Sequence, residues 1–234
     1  MEHNVYRHEL KYLIPSFKVG ELEKRIKNFT SVDKNSIEGG YQIRSLYFDN
    51  MINSAYYEKM DGVNYRKKWR IRIYNYDTKI IKLECKHKAN IGIFKESSII
   101  SEIEYQKIMQ GDIEFMKDKD ILLQKFYIES INQRLHPKVW VDYERIPYVF
   151  YPGNVRITFD KNIRAGTGEW KLNDKEIPMI NVFSKGEVVL EFKYTQFIPS
   201  LFQDILWGEA ESQVAVSKYT LAYEKINEFL RGIK

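Results

Sequence analysis

The sequence predicts an α+β fold: an antiparallel sheet of about eight strands, with helices at its periphery. Two observations carry this. On five stretches Arg, Lys and Glu occupy every second position with apolar residues between them, and side chains that alternate at period two lie on opposite faces of a strand. Between such stretches, apolar residues recur at helical spacing. No internal repeat, low-complexity tract or Pro/Gly/Ser linker interrupts the chain, so residues 1–234 read as one domain.

The first strand is YRHELKYLI, with Arg7, Glu9 and Lys11 on one face. Pro15-Ser16 ends it, and Val19, Leu22, Ile26 and Phe29 then mark an amphipathic helix. Gln42 to Asp49 reads as a second strand and Ser54 to Met60 as a short helix. KKWRIRIY and KLECKHK form a hairpin turning through Asn75 to Thr78, with Lys68/Arg70/Arg72 and Lys82/Glu84/Lys86/Lys88 opposed to Trp69/Ile71/Ile73 and Ile81/Leu83/Cys85. Ile91 to Ile100 is a further strand, and Ile103 to Met109 and Ile121 to Leu135 favour helices. Lys138 to Phe150 and Asn154 to Asp160 pair across Pro152-Gly153. Residues 161 to 186 are the least regular and read as a loop, Glu187 to Tyr194 as the last strand. Tyr219, Ala222, Tyr223, Ile226 and Phe229 lie on one helical face, expected to pack on the apolar outside of the sheet.

Alternation alone describes a sheet whose charged face meets solvent. The same pattern, if the sheet closes with that face inward, gives a cationic lumen suited to a polyanion and a metal ion.

Composition narrows the chemistry. There are 37 Lys and Arg against 32 Asp and Glu, a net charge of +5, which indicates an anionic partner without naming it. A single cysteine, Cys85, excludes an internal disulfide, and its place among apolar strand positions makes it a core thiol. No stretch is long and apolar enough to cross a membrane, and the first residues lack a signal-peptide core, so a cytoplasmic location is expected. There is no Walker loop, no GxGxxG and no GxSxG, and His3, His8, His87 and His136 show no metal-binding spacing. What remains is strand-borne Arg and Lys with Glu9, Glu84, Glu102 and Glu191. Arg grips phosphate bidentately, Lys acts as a point charge, and carboxylates hold a hard cation that phosphates complete.

The ordered set Arg7-His8-Glu9-Leu10-Lys11-Tyr12, Ser45-Leu46-Tyr47-Phe48-Asp49, Arg70-Ile71-Arg72, Leu83-Glu84-Cys85-Lys86, Tyr143-Glu144-Arg145, Arg156-Ile157-Thr158-Phe159-Asp160, Leu190-Glu191-Phe192-Lys193-Tyr194 and Ser217-Lys218-Tyr219 resembles the VTC domain. That is the catalytic domain of the vacuolar transporter chaperone polyphosphate polymerase, a triphosphate tunnel metalloenzyme, and the likeness is to its stand-alone, bacterial-type members. The resemblance implies a closed antiparallel eight-stranded β-barrel with a charged lumen. It implies transfer of the γ-phosphate of ATP to inorganic polyphosphate, or to pyrophosphate, with Mn2+ or Mg2+. Carried over by motif, Lys11, Arg70, Arg72, Lys86, Arg145, Arg156, Lys193 and Lys218 would be catalytic, Lys95, Tyr143 and Ser97 substrate-binding, and Glu191 and Glu9 metal ligands. Ser97 stands where members often carry Arg, and Arg7 replaces one of the superfamily's paired glutamates.

A hydrolase of the same fold and a non-catalytic polyphosphate-binding module are the alternatives. Nucleic acid is not expected, because the cations are interleaved with Glu on strands. A membrane partner is left open.

Overall fold

The alternating stretches fold as strands of one antiparallel sheet. The computed structural model describes residues 6–33, 36, 39–203 and 214–232; His3 lies outside them. The strands are β1 (His8–Ile14), β2 (Ser31–Val32), β3 (Tyr41–Asp49), β4 (Arg66–Tyr74), β5 (Asp77–Ala89), β6 (Gly92–Ile100), β7 (His136–Phe150), β8 (Val155–Gly166), β9 (Ile180–Asn181) and β10 (Val188–Tyr194). The helices are α1 (Val19–Lys27), α2 (Ser54–Met60), α3 (Glu102–Met109), α4 (Ile121–Gln133) and α5 (Lys218–Gly232). None among the described residues is long and apolar enough to cross a membrane.

The long strands run in the order β1-β10-β8-β7-β3-β4-β5-β6, with β2 on β7 and β9 on β8. This is a half-barrel, which corrects the expectation of a closed one. Among the described residues its edges β1 and β6 touch through one bridge, Arg7 to Ile93, whose two hydrogen bonds are each 2.9 Å long. From His8 onward the strand partner of β1 is β10, and on its other edge the Lys11 carbonyl accepts from the Val214 amide at 2.8 Å, so β6 is not its neighbour beyond the bridge. Closure needs tilt and stagger that bring both edges together along their length, a property of the whole sheet that no local pattern encodes.

The bridge depends on Gly92. Its φ is +141°, and a Cβ there would come within 3.0 Å of the Arg7 carbonyl oxygen. Gly92→Ala is therefore expected to cost ~1–3 kcal/mol of stability, read as a lower midpoint in chemical denaturation; an unchanged midpoint would show that the seam contributes nothing.

Local signals set the other elements. Ser101 and Glu104 form a reciprocal capping box that starts α3, and Asp120 accepts from the amides of Leu122 and Leu123 to start α4. The β4–β5 hairpin turns on Asn75 and Tyr76, both at positive φ, as a two-residue turn compatible with strand twist requires.

Outward side chains of β3, β4 and β5, including Trp69, Ile71, Leu83 and Cys85, pack under α3 and α4. Burial pushes the Cys85 thiol far up, which leaves it an inert core group. Ile157, Phe159, Leu190 and Phe192 pack under α1.

Helix α5 does not cover the outside, contrary to expectation. Its Tyr219, Ala222 and Ile226 join Ile43, Val139, Val141, Ile163, Ala165 and Val189, inward positions of the same strands. Part of the concave face is thus apolar, and α5 is buried against it.

Residues 161 to 186 are also more regular than expected. β8 runs to Gly166 past an irregularity at Asn162, which sits at positive φ where the β7–β8 register shifts. Arg44, fully buried and bidentate to Asp142, donates to the carbonyls of Leu172 and Asp174 and pins the excursion that follows.

Candidate functional site

The charged sets of β1, β4, β5, β6, β7 and β10 face one cavity of about 820 Å³. Thirteen Lys and Arg side chains line it against two glutamates, Glu9 and Glu191. Of the residues singled out above, it brings together Lys11, Arg70, Arg72, Lys86, Lys95, Tyr143, Arg145, Lys193, Lys218, Glu9 and Glu191. Arg156 and Ser97 do not line it. Arg156 is drawn to Asp33, 2.7 Å away, and to the Tyr41 hydroxyl at 2.8 Å; Ser97, opposite Glu84 on β6, is exposed.

Register explains the inner arrangement. Lys11 stands directly opposite Glu191, and Glu9 opposite Lys193. Lys11 Nζ lies 3.1 Å from Glu9 and 3.4 Å from Glu191. Lys86 donates to both Glu9 oxygens at 2.9 and 2.8 Å, and Lys193 and Arg145 reach Glu191 at 3.4 and 3.6 Å. Arg145 also forms a bidentate pair with Asp160 at 2.6 and 2.7 Å, and Lys218, at the start of α5, closes on the same carboxylate at 2.5 Å.

On the other wall Arg70 is anchored by Glu84 at 2.7 Å and donates to the Tyr47 hydroxyl at 3.0 Å; Lys95 pairs with Glu84 as well. Arg72 is held by two neutral groups, Ser45 Oγ at 2.9 Å and Tyr143 OH at 3.1 Å, and its closest carboxylate oxygen, on Glu84, is 3.9 Å away.

The electrostatics follow from these pairs. Burial opposes the charge on Glu9, but Lys86, Lys11 and Lys193 outweigh it and hold the carboxyl at about 2, while Glu191 works in the other direction. Glu191 is likewise held well below the usual carboxylate range against burial by Lys193, Lys11 and Lys218. Burial brings Lys193 down to about 7 despite Glu191 and Glu9; a bound polyanion would restore its charge.

Asp160 gives a stability prediction. Burial raises its pKa, but Arg145 and Lys218 prevail and set it at about 2, below the ordinary aspartate value. A depressed carboxylate stabilises the fold above its unfolded pKa and loses that contribution as pH falls through the folded value. The ion pairs of Asp160 are therefore expected to add about 2 kcal/mol that disappears between roughly pH 4 and 2. Urea titrations of wild type and Asp160→Asn across that range should converge at the acid end; parallel curves would show that Asp160 is not the titrating group.

Several lining residues had no site role from the sequence: Arg7, Lys68 and Lys88 were placed only on the charged strand faces and Ser217 only in a family motif, while Lys59 and Arg66 were missed. Arg66 extends the alternation of Lys68, Arg70 and Arg72 by one step, a signal present in the sequence. Lys59 comes from α2, where no strand periodicity could point to it.

Among the described residues no three His, Cys, Asp or Glu side chains converge as a metal cluster. Glu9 and Glu191 share Lys11 and are both ionised. Two hard oxygen donors beside a wall of Lys and Arg fit a divalent cation whose remaining ligands would come from an anionic substrate.

A half-barrel whose concave face is a cation-lined, glutamate-bearing cavity is suited by its chemistry to anions. The family model of the VTC domain matches residues 6–227, and the chain belongs to the VTC domain family. Solved structures agree at the level of fold. A Bacillus halodurans protein described as a candidate adenylate cyclase is 14% identical with a TM-score of 0.57, over 90% of this chain and 95% of its own. The PH1819 protein of Pyrococcus horikoshii OT3 is 14% identical with a TM-score of 0.51, over 94% and 99%. No curated protein matches.

Proposed function

We propose that this chain is a metal-dependent polyphosphate polymerase that transfers the γ-phosphate of ATP to the end of an inorganic polyphosphate or pyrophosphate acceptor. The observation that supports it is the convergence of Lys11, Arg70, Arg72, Lys86, Arg145, Lys193 and Lys218 from six elements around Glu9 and Glu191. Phosphoryl transfer needs positioning and stabilisation of spread negative charge more than covalent help. The terminal oxygen of a phosphate chain is already an anionic nucleophile: it bonds to the γ-phosphorus, the bond to the β–γ bridging oxygen breaks, and ADP leaves with that electron pair.

In this reading Arg70 and Arg72 grip the transferred group, Lys11, Lys86, Lys193 and Lys218 neutralise the chain on either side, and Arg145 links the two carboxylate clusters. Lys95 and the Tyr143 hydroxyl contact phosphate oxygens. Mn2+ or Mg2+ held by Glu191 and Glu9 would neutralise and orient the transferred group. Arg156 and Ser97, away from the cavity, take no direct part. A reducing, cytoplasmic setting fits the free Cys85 thiol.

The test is incubation with ATP and Mn2+, with and without a short polyphosphate primer, resolved by gel and phosphorus NMR. Long polyphosphate with matching ADP supports the polymerase. Orthophosphate alone selects a hydrolase of the same fold, and neither product selects a binding module.

A further inference from the structure

Glu191 is the loosely held carboxylate of the site. Its cation partners Lys11, Lys193 and Arg145 stand at 3.4, 3.4 and 3.6 Å. The other acidic groups are gripped more closely: Glu9 takes two bonds from Lys86 at 2.9 and 2.8 Å, Glu84 one from Arg70 at 2.7 Å, and Asp160 two from Arg145 at 2.6 and 2.7 Å. Charge-assisted N–H···O bonds are roughly 2.7–2.9 Å long, so the three cations neutralise Glu191 without fixing the direction of its oxygens.

Directly opposite Glu191, on β8, is Thr158, and side chains so paired stand roughly 5 Å apart at Cβ on one face of the sheet. Thr158 is fully buried, and its hydroxyl has no hydrogen-bond partner among the described residues. The surrounding side chains explain why. Pro147, opposite Thr158 on β7, carries no side-chain acceptor. Arg156, the preceding residue on the same face, has only donors. Asp160, the following one, is spent on Arg145 and Lys218. Glu191 is the acceptor that remains beside it. A buried hydroxyl left unpaired is unfavourable, so the free protein carries a donor and a loosely held acceptor face to face.

A phosphate ligand changes the balance. It competes for Lys11, Lys193 and Arg145, and a buried carboxylate drawn apart from its cations needs other partners. The hydroxyl of Thr158 supplies one, and a divalent cation would supply another. We propose that Thr158 is the positioning residue of Glu191: in the loaded site its hydroxyl donates to the carboxylate and fixes the orientation in which Glu191 meets a divalent cation. This rests on the reading of Glu191 as a metal ligand. Ligating carboxylates are in general held by such an outer hydrogen bond, and Thr158 is the side chain that register places to make it.

The experiment is calorimetric titration with an imido-bridged triphosphate, which resists cleavage, once with metal removed by a chelator and once as the Mn2+ complex. Wild type, Thr158→Val, Thr158→Ser and Glu191→Gln are compared. Valine keeps the branched shape and removes the hydroxyl. Thr158→Val is expected to lose roughly 10–100-fold in affinity for the Mn2+ complex, the scale for an outer partner of a metal ligand, and less than about twofold for the metal-free ligand. Thr158→Ser restores the donor and should bind both forms as wild type does. Melting curves without ligand give a second readout: Thr158→Val should melt no lower than wild type, because the methyl replaces a hydroxyl that has no partner. Equal losses for both forms, no loss for either, or no rescue by serine would overturn the assignment, as would a lower melting point of the valine variant. Glu191→Gln separates the two failures. If it loses the Mn2+ complex while Thr158→Val does not, the role of Thr158 falls and the metal ligand stands. If it binds the Mn2+ complex as wild type does, the metal-ligand reading falls and the assignment with it.

Discussion

Glu191→Gln is expected to abolish metal-dependent turnover of ATP while leaving metal-free polyphosphate binding unchanged or tighter. The amide keeps the shape of the side chain and removes one of two hard anionic ligands, and a cation held by protein and substrate together has no replacement for it. The loss should be on the order of 10²–10³ in kcat, the scale for removing one preorganised stabilising group. Binding moves the other way because Glu191 repels phosphate and neutralises Lys11, Arg145 and Lys193. Removing it leaves Lys193 without its carboxylate, while Lys11 keeps Glu9 and Arg145 keeps Asp160, so the ligand-free variant should melt lower than wild type and recover when polyphosphate is added. Metal titrations of turnover, with melting curves with and without polyphosphate, check both halves. Wild-type turnover in the variant would remove Glu191 from metal binding, and a melting point that polyphosphate does not restore would make the carboxylate structural.

Arg72→Ala is expected to have a similar effect on rate by a different route. The guanidinium is held by two hydroxyls, those of Ser45 and Tyr143, so its charge is largely unspent in the free protein and available to the transferred group. Turnover should fall on the order of 10²–10³. Arg72→Lys should not restore it, because an ammonium cannot reproduce the planar fork that Ser45 and Tyr143 orient. The fold should persist, since no buried carboxylate depends on Arg72 alone: Glu84 keeps Arg70 and Lys95. Steady-state kinetics of both variants, with circular dichroism as control, decide it. Full rescue by lysine would show that only a point charge is needed, and unfolding of the alanine variant would show that the pair of hydroxyls is a structural anchor.

Much of the site was legible because a strand writes its faces into every second residue. The runs that contain Lys11, Arg70, Arg72, Lys86 and Lys193 needed only that rule to be grouped, and their order along the chain was enough for the family. Arg156 obeyed the rule and still fell outside the cavity, since a residue's height along the strand, and here the pull of Asp33 and Tyr41, decides whether an inward side chain reaches the site. Lys59 reaches it from a helix whose own pattern says nothing of the cavity.

The identity of the strands and their polar and apolar faces were thus settled by local periodicity and residue type. The half-barrel's open seam, the burial of α5 against an apolar part of the concave face and the pinning of the segment after β8 by Arg44 were decided only in three dimensions. Each depends on which strand lies beside which and at what register, and those are long-range relations. Alternation records that a residue points to one side of its strand; what it meets there is set by residues far away in the chain.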